Sequence, residues 1–200
     1  MATTHFEAKS AREAFPCFDE PAMKAKFAIV IKREKKDVAL ANMPLERTEG
    51  CDSDVDVCTT HFQKSVEMST YLVAFVVCDF ASVSATTSRG VKINIWAPPD
   101  QIKHADLALK CAKVILEYYD KFFGVDYPLP KLDLIAIPDF SAGATENWGL
   151  ITCRLTSLLS NPRDSSTSNK QWVAIVVAHE LAHQWFGNLV TMKWWDDLWL

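Results

Sequence analysis

The chain has 200 residues, 49% of them hydrophobic and 23% charged, which is the composition of a folded chain with material for one or two domains. Its 21 basic and 25 acidic residues give a formal charge of −4, so no net positive field exists to hold a phosphate backbone, and nucleic acid is excluded as an expected partner. Apolar runs such as residues 172–178 fall far short of the roughly 20 residues that cross a bilayer, and residues 1–7 carry no basic segment followed by an apolar core, so no signal peptide is read there.

The first half of the chain is rich in short β-patterned runs. Residues 27–31 and 71–77 are dense in β-branched and aromatic side chains, and residues 91–95 alternate with period two, so all three are expected to be strands of an N-terminal all-β domain. Residues 46–56 carry five acids against one base around Gly50 and are expected to be a solvated loop. The six cysteines are widely spaced with no CxxC pair, and the expectation is ordinary thiols, mostly buried, without a disulfide framework.

Pro98-Pro99 ends this pattern, and the period then changes. Ile102, Ala105, Leu109, Ala112, Leu116, Tyr119 and Phe123 step by three and four residues, which predicts one apolar face of an amphipathic helix closed by Gly124. A domain boundary is therefore expected at 97/98, with a first domain of residues 1–97 and a second of residues 98–200. Residues 132–137 predict a strand stopped by Pro138, and residues 146–154 another. The polar stretch 161–169 leads into a helix whose Ser168 and Gln171 have capping-box spacing and which is expected to run on to Gly187.

That helix contains His179-Glu180-Leu181-Ala182-His183. Residues four apart share a helix face, so His179 and His183 can converge on one cation while Glu180, one step round, points toward water at the metal. Neutral imidazole suits zinc, and catalytic zinc sites use three protein ligands with one position left for water. The expectation is a Zn²⁺ site held by His179 and His183 with Glu180 as general base. Asp196 and Asp197 are the only later carboxylates in the chain, and either is open as a third ligand.

The run from His179 through Thr191, followed by Trp194-Trp195-Asp196-Asp197-Leu198-Trp199-Leu200, resembles the gluzincin aminopeptidases of the M1 family. Gly143-Ala144-Thr145-Glu146-Asn147 resembles that family's Gly-Ala-Met-Glu-Asn motif, and Ala14-Phe15-Pro16-Cys17-Phe18-Asp19-Glu20-Pro21 a signature of its N-terminal β-domain. The similarity is to the branch that includes aminopeptidase N and the glutamyl and endoplasmic reticulum aminopeptidases. The resemblance implies an α+β chain: part of an all-β domain, then the start of a thermolysin-like catalytic domain. It further implies an enzyme that releases single amino acids from peptides with a free N-terminus and holds one zinc. Glu146 would bind the substrate's α-ammonium, Gly143, Ala144, Thr145 and Asn147 would line the scissile residue, and Glu7 would also reach the amine. A carboxylate that needs a cationic partner rejects peptides without a free amine.

Three departures bear on this expectation. Thr145 replaces the family's usual Met, which shrinks and polarises the first-residue pocket. His5 occupies a position that is Asp in the acid-specific branch, which argues against an N-terminal Glu or Asp preference. The family's third zinc ligand, a Glu, falls just past Leu200, so the chain reads as an internal piece or short form of a larger enzyme and is expected to be inactive alone. The alternative reading is a catalytically incompetent truncated form. For the parent, the resemblance implies a membrane-anchored extracellular or endoplasmic reticulum lumenal protein and admits a homodimer.

Overall fold

The β-patterned runs of the first half do not join one sheet. The computed structural model describes residues 1–52 and 54–199, and the chain divides into two units: Met1–Asp79 with Phe186–Leu200, and Phe80–Trp185.

The first unit contains β1 (Ala2–Thr3), α1 (Ala11–Ala14), β2 (Val30–Glu34), β3 (Val38–Ala41), β4 (Leu45–Glu49), β5 (Val57–Phe62) and β6 (Phe75–Cys78). These strands form two antiparallel sheets, ordered β1-β6-β3 and β2-β5-β4. Ala39, Ala41 and Phe62 make a buried cluster with Ile29, Ile31, Phe75 and Val77 against it, the result expected when alternate positions of each strand face inward. The acidic stretch 46–56 is therefore only partly a loop: its first residues form the exposed strand β4, paired with β5. Two of the six cysteines are also not free, because Cys51 and Cys58 are disulfide-bonded, while Cys17, Cys78, Cys111 and Cys153 are thiols. The segment 14–21 has a structural task. The buried Asp19 carboxylate accepts from the backbone N–H and side-chain Nε of Arg12, at 3.2 and 3.1 Å, and so ties the loop to α1.

The second unit contains β7 (Ala81–Thr86), β8 (Lys92–Ala97), α2 (Asp106–Phe123), β9 (Lys131–Ile137), β10 (Ala144–Thr145), β11 (Leu150–Arg154), α3 (Leu155–Leu158) and α4 (Thr167–His183). Its five-stranded sheet runs β10-β11-β9-β8-β7, with β8, β9 and β11 parallel and the two outer strands antiparallel to their neighbours. Parallel β8 and β9 require a crossover, and α2 supplies it. On α2, Ala112 and Leu116 are buried and Leu109, Tyr119 and Phe123 half-buried, and Gly124 closes the helix at φ 64°. The compact units divide between Asp79 and Phe80 and again between Trp185 and Phe186. Strands β7 and β8 have the same alternation as their predecessors, but β7 pairs with β8 and β8 with β9, and alternation alone does not name a strand's partner. Among the described residues, no helix is long and apolar enough to cross a membrane.

Candidate active site

Helix α4 packs against α2 in the second unit. Its start is capped by Ser166, whose Oγ accepts from Asn169 N–H at 3.1 Å, so the cap lies two residues before the expected Ser168. The helix buries Val173, Val176, Val177, Glu180 and Leu181 and leaves Trp172 and Ile175 largely exposed. It ends at His183 rather than running to Gly187, because the Gln184 N–H turns to Leu181 O at 3.1 Å and tightens the last turn. Beyond it, Trp185 packs among Tyr119, Phe123 and Tyr127, and its indole N–H donates to Val125 O at 2.8 Å.

On this helix the two imidazoles meet. His183 Nε2 and His179 Nε2 are 3.0 Å apart, with the ring planes at 88°. Nitrogens at that separation can both stand about 2.0–2.1 Å from one cation, the distance imidazole takes to zinc, so the pair fits two ligands of such a site. Burial and then the neighbouring His183 push the His179 imidazole below its ordinary value, with the Glu146 charge pulling the other way. Low basicity favours the neutral, ligating form. Among the described residues no third His, Cys, Asp or Glu joins the pair in a metal-binding group. Asp196 and Asp197, left open as ligands by the sequence, lie instead in a short 3-10 turn, Trp195–Asp197, of the first unit.

Glu180 is 5% exposed on the inner side of α4. Its charge acts on Cys153 of β11, whose thiol is pushed well above the usual range, first by burial and then by Glu180. The carboxylate is thus held between the helix and the sheet.

The segment 143–147 runs beside this helix. Ala144 and Thr145 form β10, paired with Cys153 and Thr152 of β11. Gly143 O accepts from Arg154 N–H at 2.9 Å, and the Arg154 side chain also bonds Phe140 O and Ser141 O. Glu146 is half-buried and close enough to His179 to act on it electrostatically. Asn147 is buried and donates to Thr152 Oγ1 at 3.1 Å. The expected continuous strand over 146–154 is interrupted here: Leu150 N–H returns to Asn147 O at 3.0 Å, and Gly149 sits at φ 80°, a turn geometry that favours glycine. The second unit therefore brings together His179, His183, Glu180 and the 143–147 segment. Glu7 belongs to the first unit, where it is half-buried after Phe6, whose ring packs edge-on to Phe15 and Phe75.

Sequence reasoning missed Gln184, which is fully buried. Its side chain bonds Glu146 O at 3.2 Å, Glu180 O at 3.1 Å and Gly149 N–H at 3.3 Å. Its position directly after the second imidazole was the one available signal.

Two imidazoles and a buried carboxylate thus lie on one helix, beside the edge segment that carries Glu146. The chain belongs to peptidase family M1: residues 1–72 match the Peptidase M1 N-terminal domain and residues 107–200 the Peptidase family M1 domain. It is 57% identical over 200 residues to endoplasmic reticulum aminopeptidase 2 of Bos taurus, 55% over 204 residues to endoplasmic reticulum aminopeptidase 1 of Homo sapiens, and 54% over 200 residues to glutamyl aminopeptidase of Bos taurus. In each case the whole chain is covered, and it spans 21% of the relative's length.

Proposed function

We propose that this chain is the part of a zinc aminopeptidase that carries two metal ligands, the general base and the site for the substrate's amine. The observation that carries this reading is the 3.0 Å approach of His179 Nε2 and His183 Nε2 on the helix that buries Glu180. His179 and His183 would hold zinc. When bound, zinc supplies Lewis acidity to the scissile carbonyl and to the attacking water. Glu180 takes the proton from that water and passes it to the leaving amine, and its burial keeps competing solvent away. Glu146 holds the substrate's α-ammonium, while Gly143, Ala144, Thr145 and Asn147 wall the first residue. Rejection of blocked peptides follows, since they leave the carboxylate without a cation. Glu7 enters this reading from the family resemblance alone.

The names of the relatives support peptide substrates with a free N-terminus, and a compartment that is the endoplasmic reticulum lumen or the cell exterior. The Cys51–Cys58 disulfide supports an oxidising compartment. With two ligands among the described residues, the isolated chain is expected to show no aminopeptidase activity. The test is Glu180→Gln in the intact enzyme. The amide keeps the shape but takes no proton, so kcat should fall about 10²–10⁴-fold with zinc stoichiometry unchanged. Near-normal turnover with full zinc would exclude the assigned base.

A further inference from the structure

Gln184 is the first residue after the imidazole pair, and it is fully buried. Its amide nitrogen donates to Glu180 O, the helix carbonyl one turn back, at 3.1 Å. The same nitrogen donates to Glu146 O at 3.2 Å, and the amide oxygen accepts from Gly149 N–H at 3.3 Å. One side chain therefore uses both donor hydrogens and its acceptor, and all three partners are backbone groups. Two of them lie on the turn that carries the Glu146 carboxylate, and the third lies on the helix that carries the imidazoles and Glu180.

The far side of that turn is equally fixed. Gly149 O accepts from Lys131 Nζ at 2.8 Å and from Asp133 N–H at 3.0 Å, and Lys131 is itself paired with Asp133 at 2.7 Å. Gly149, at φ 80°, is gripped on its carbonyl by the sheet and on its N–H by Gln184. A buried amide with every hydrogen-bonding group used has one orientation, because any rotation leaves a polar group unpaired. The backbone of Glu146 thus cannot shift along α4 without breaking this bracket.

We propose that Gln184 is a positioning residue that sets the distance between the Glu146 carboxylate and the imidazole pair, and thereby places the substrate's α-ammonium one residue from the bond to be cleaved. This rests on the aminopeptidase reading above. An aminopeptidase must measure one residue from the amine to the scissile carbonyl, and small misplacements of a bound substrate cost large factors in rate. Gln184 touches no substrate in this role and acts through Glu146.

The test is a double-mutant cycle in the full-length, zinc-loaded enzyme, pairing Gln184→Met with Glu146→Ala. The substrate is the best-cleaved member of a set of aminoacyl p-nitroanilides, with its N-acetyl counterpart as control. In the wild-type background Gln184→Met should lower kcat/KM for the free-amine substrate by about tenfold or more; in the Glu146→Ala background the same change should cost less than about threefold. Zinc content should stay at one per chain. Gln184→Glu keeps the acceptor for Gly149 N–H but opposes two carbonyls, and it should show the same background dependence; it decides the matter where Gln184→Met does not accumulate. Equal losses in both backgrounds, or no loss in either, would overturn the positioning role while leaving Glu146 as the amine site. A Glu146→Ala enzyme with undiminished kcat/KM for free amines would overturn both readings.

Discussion

Replacing Lys131 with Met should loosen the sheet beneath the candidate active site. Lys131 and Asp133 are buried, at 8% and 6% side-chain exposure, with Nζ 2.7 Å from Oδ2. Asp133 Oδ1 also accepts from Asn94 Nδ2 at 2.6 Å and Trp96 Nε1 at 3.2 Å. Methionine fills the lysine's space but leaves the carboxylate with neutral donors alone, and it takes one donor from Gly149 O. Breaking a buried pair in this way costs about 3–5 kcal/mol. At about 1.4 kcal/mol per decade, local opening should become roughly two to three and a half orders of magnitude more frequent. Amide hydrogen exchange of peptides covering 131–137 and 147–154 in the intact protein measures this directly. The double variant Lys131→Met/Asp133→Asn removes both charges while keeping an acceptor for Asn94 and Trp96, and should exchange more slowly than the single variant. Exchange within threefold of wild type in Lys131→Met, or a double variant worse than the single, would refute the reasoning.

Two further outcomes are expected. The Tyr127 phenol is pushed well above its usual range by burial and then by the Asp133 charge; an unfolded tyrosine ionises near about 10, so this contribution to stability is complete below that pH and is lost as pH climbs toward the folded value. Thermal midpoints should therefore fall less steeply above about pH 10 in Tyr127→Phe than in wild type, and parallel slopes would contradict this. The Cys51–Cys58 bond lies within one tryptic peptide, residues 48–64, which should gain the mass of two hydrogens on reduction; an unreduced digest showing the free dithiol would exclude the bond.

Local periodicity made α2 and the helix of His179 and His183 legible in the sequence. Steps of three and four placed Ala112 and Leu116 on the buried face, and the four-residue step between His179 and His183 placed two nitrogens together. The features missed depend on partners far along the chain. Gln184 was not legible because it bonds backbone groups, which leave no trace in residue type. The expected strand 132–137 left out Lys131 and gave Asp133 no role, yet every residue of β9 is buried because strands cover it on both edges and helices pack nearby. The disulfide escaped notice because a seven-residue separation matches no short motif, and the antiparallel pairing of β4 with β5 is what brings its cysteines together.

The first unit is discontinuous, and this has a consequence for synthesis on the ribosome. Tyr71 OH bonds Gly187 O at 3.1 Å, Lys24 Nζ bonds Asn188 O and Leu189 O at 3.1 and 3.2 Å, and the Tyr71 ring meets Trp195 at 5.1 Å. None of these contacts can form until the 106 residues of Phe80–Trp185 have been made. At about 5–20 residues per second, that is a wait of roughly 5–20 s after Asp79 is added. The first unit must therefore hold its nascent strands without their last layer while an entire second unit is threaded out. A chaperone that binds exposed apolar chain would have that interval in which to act on the first unit.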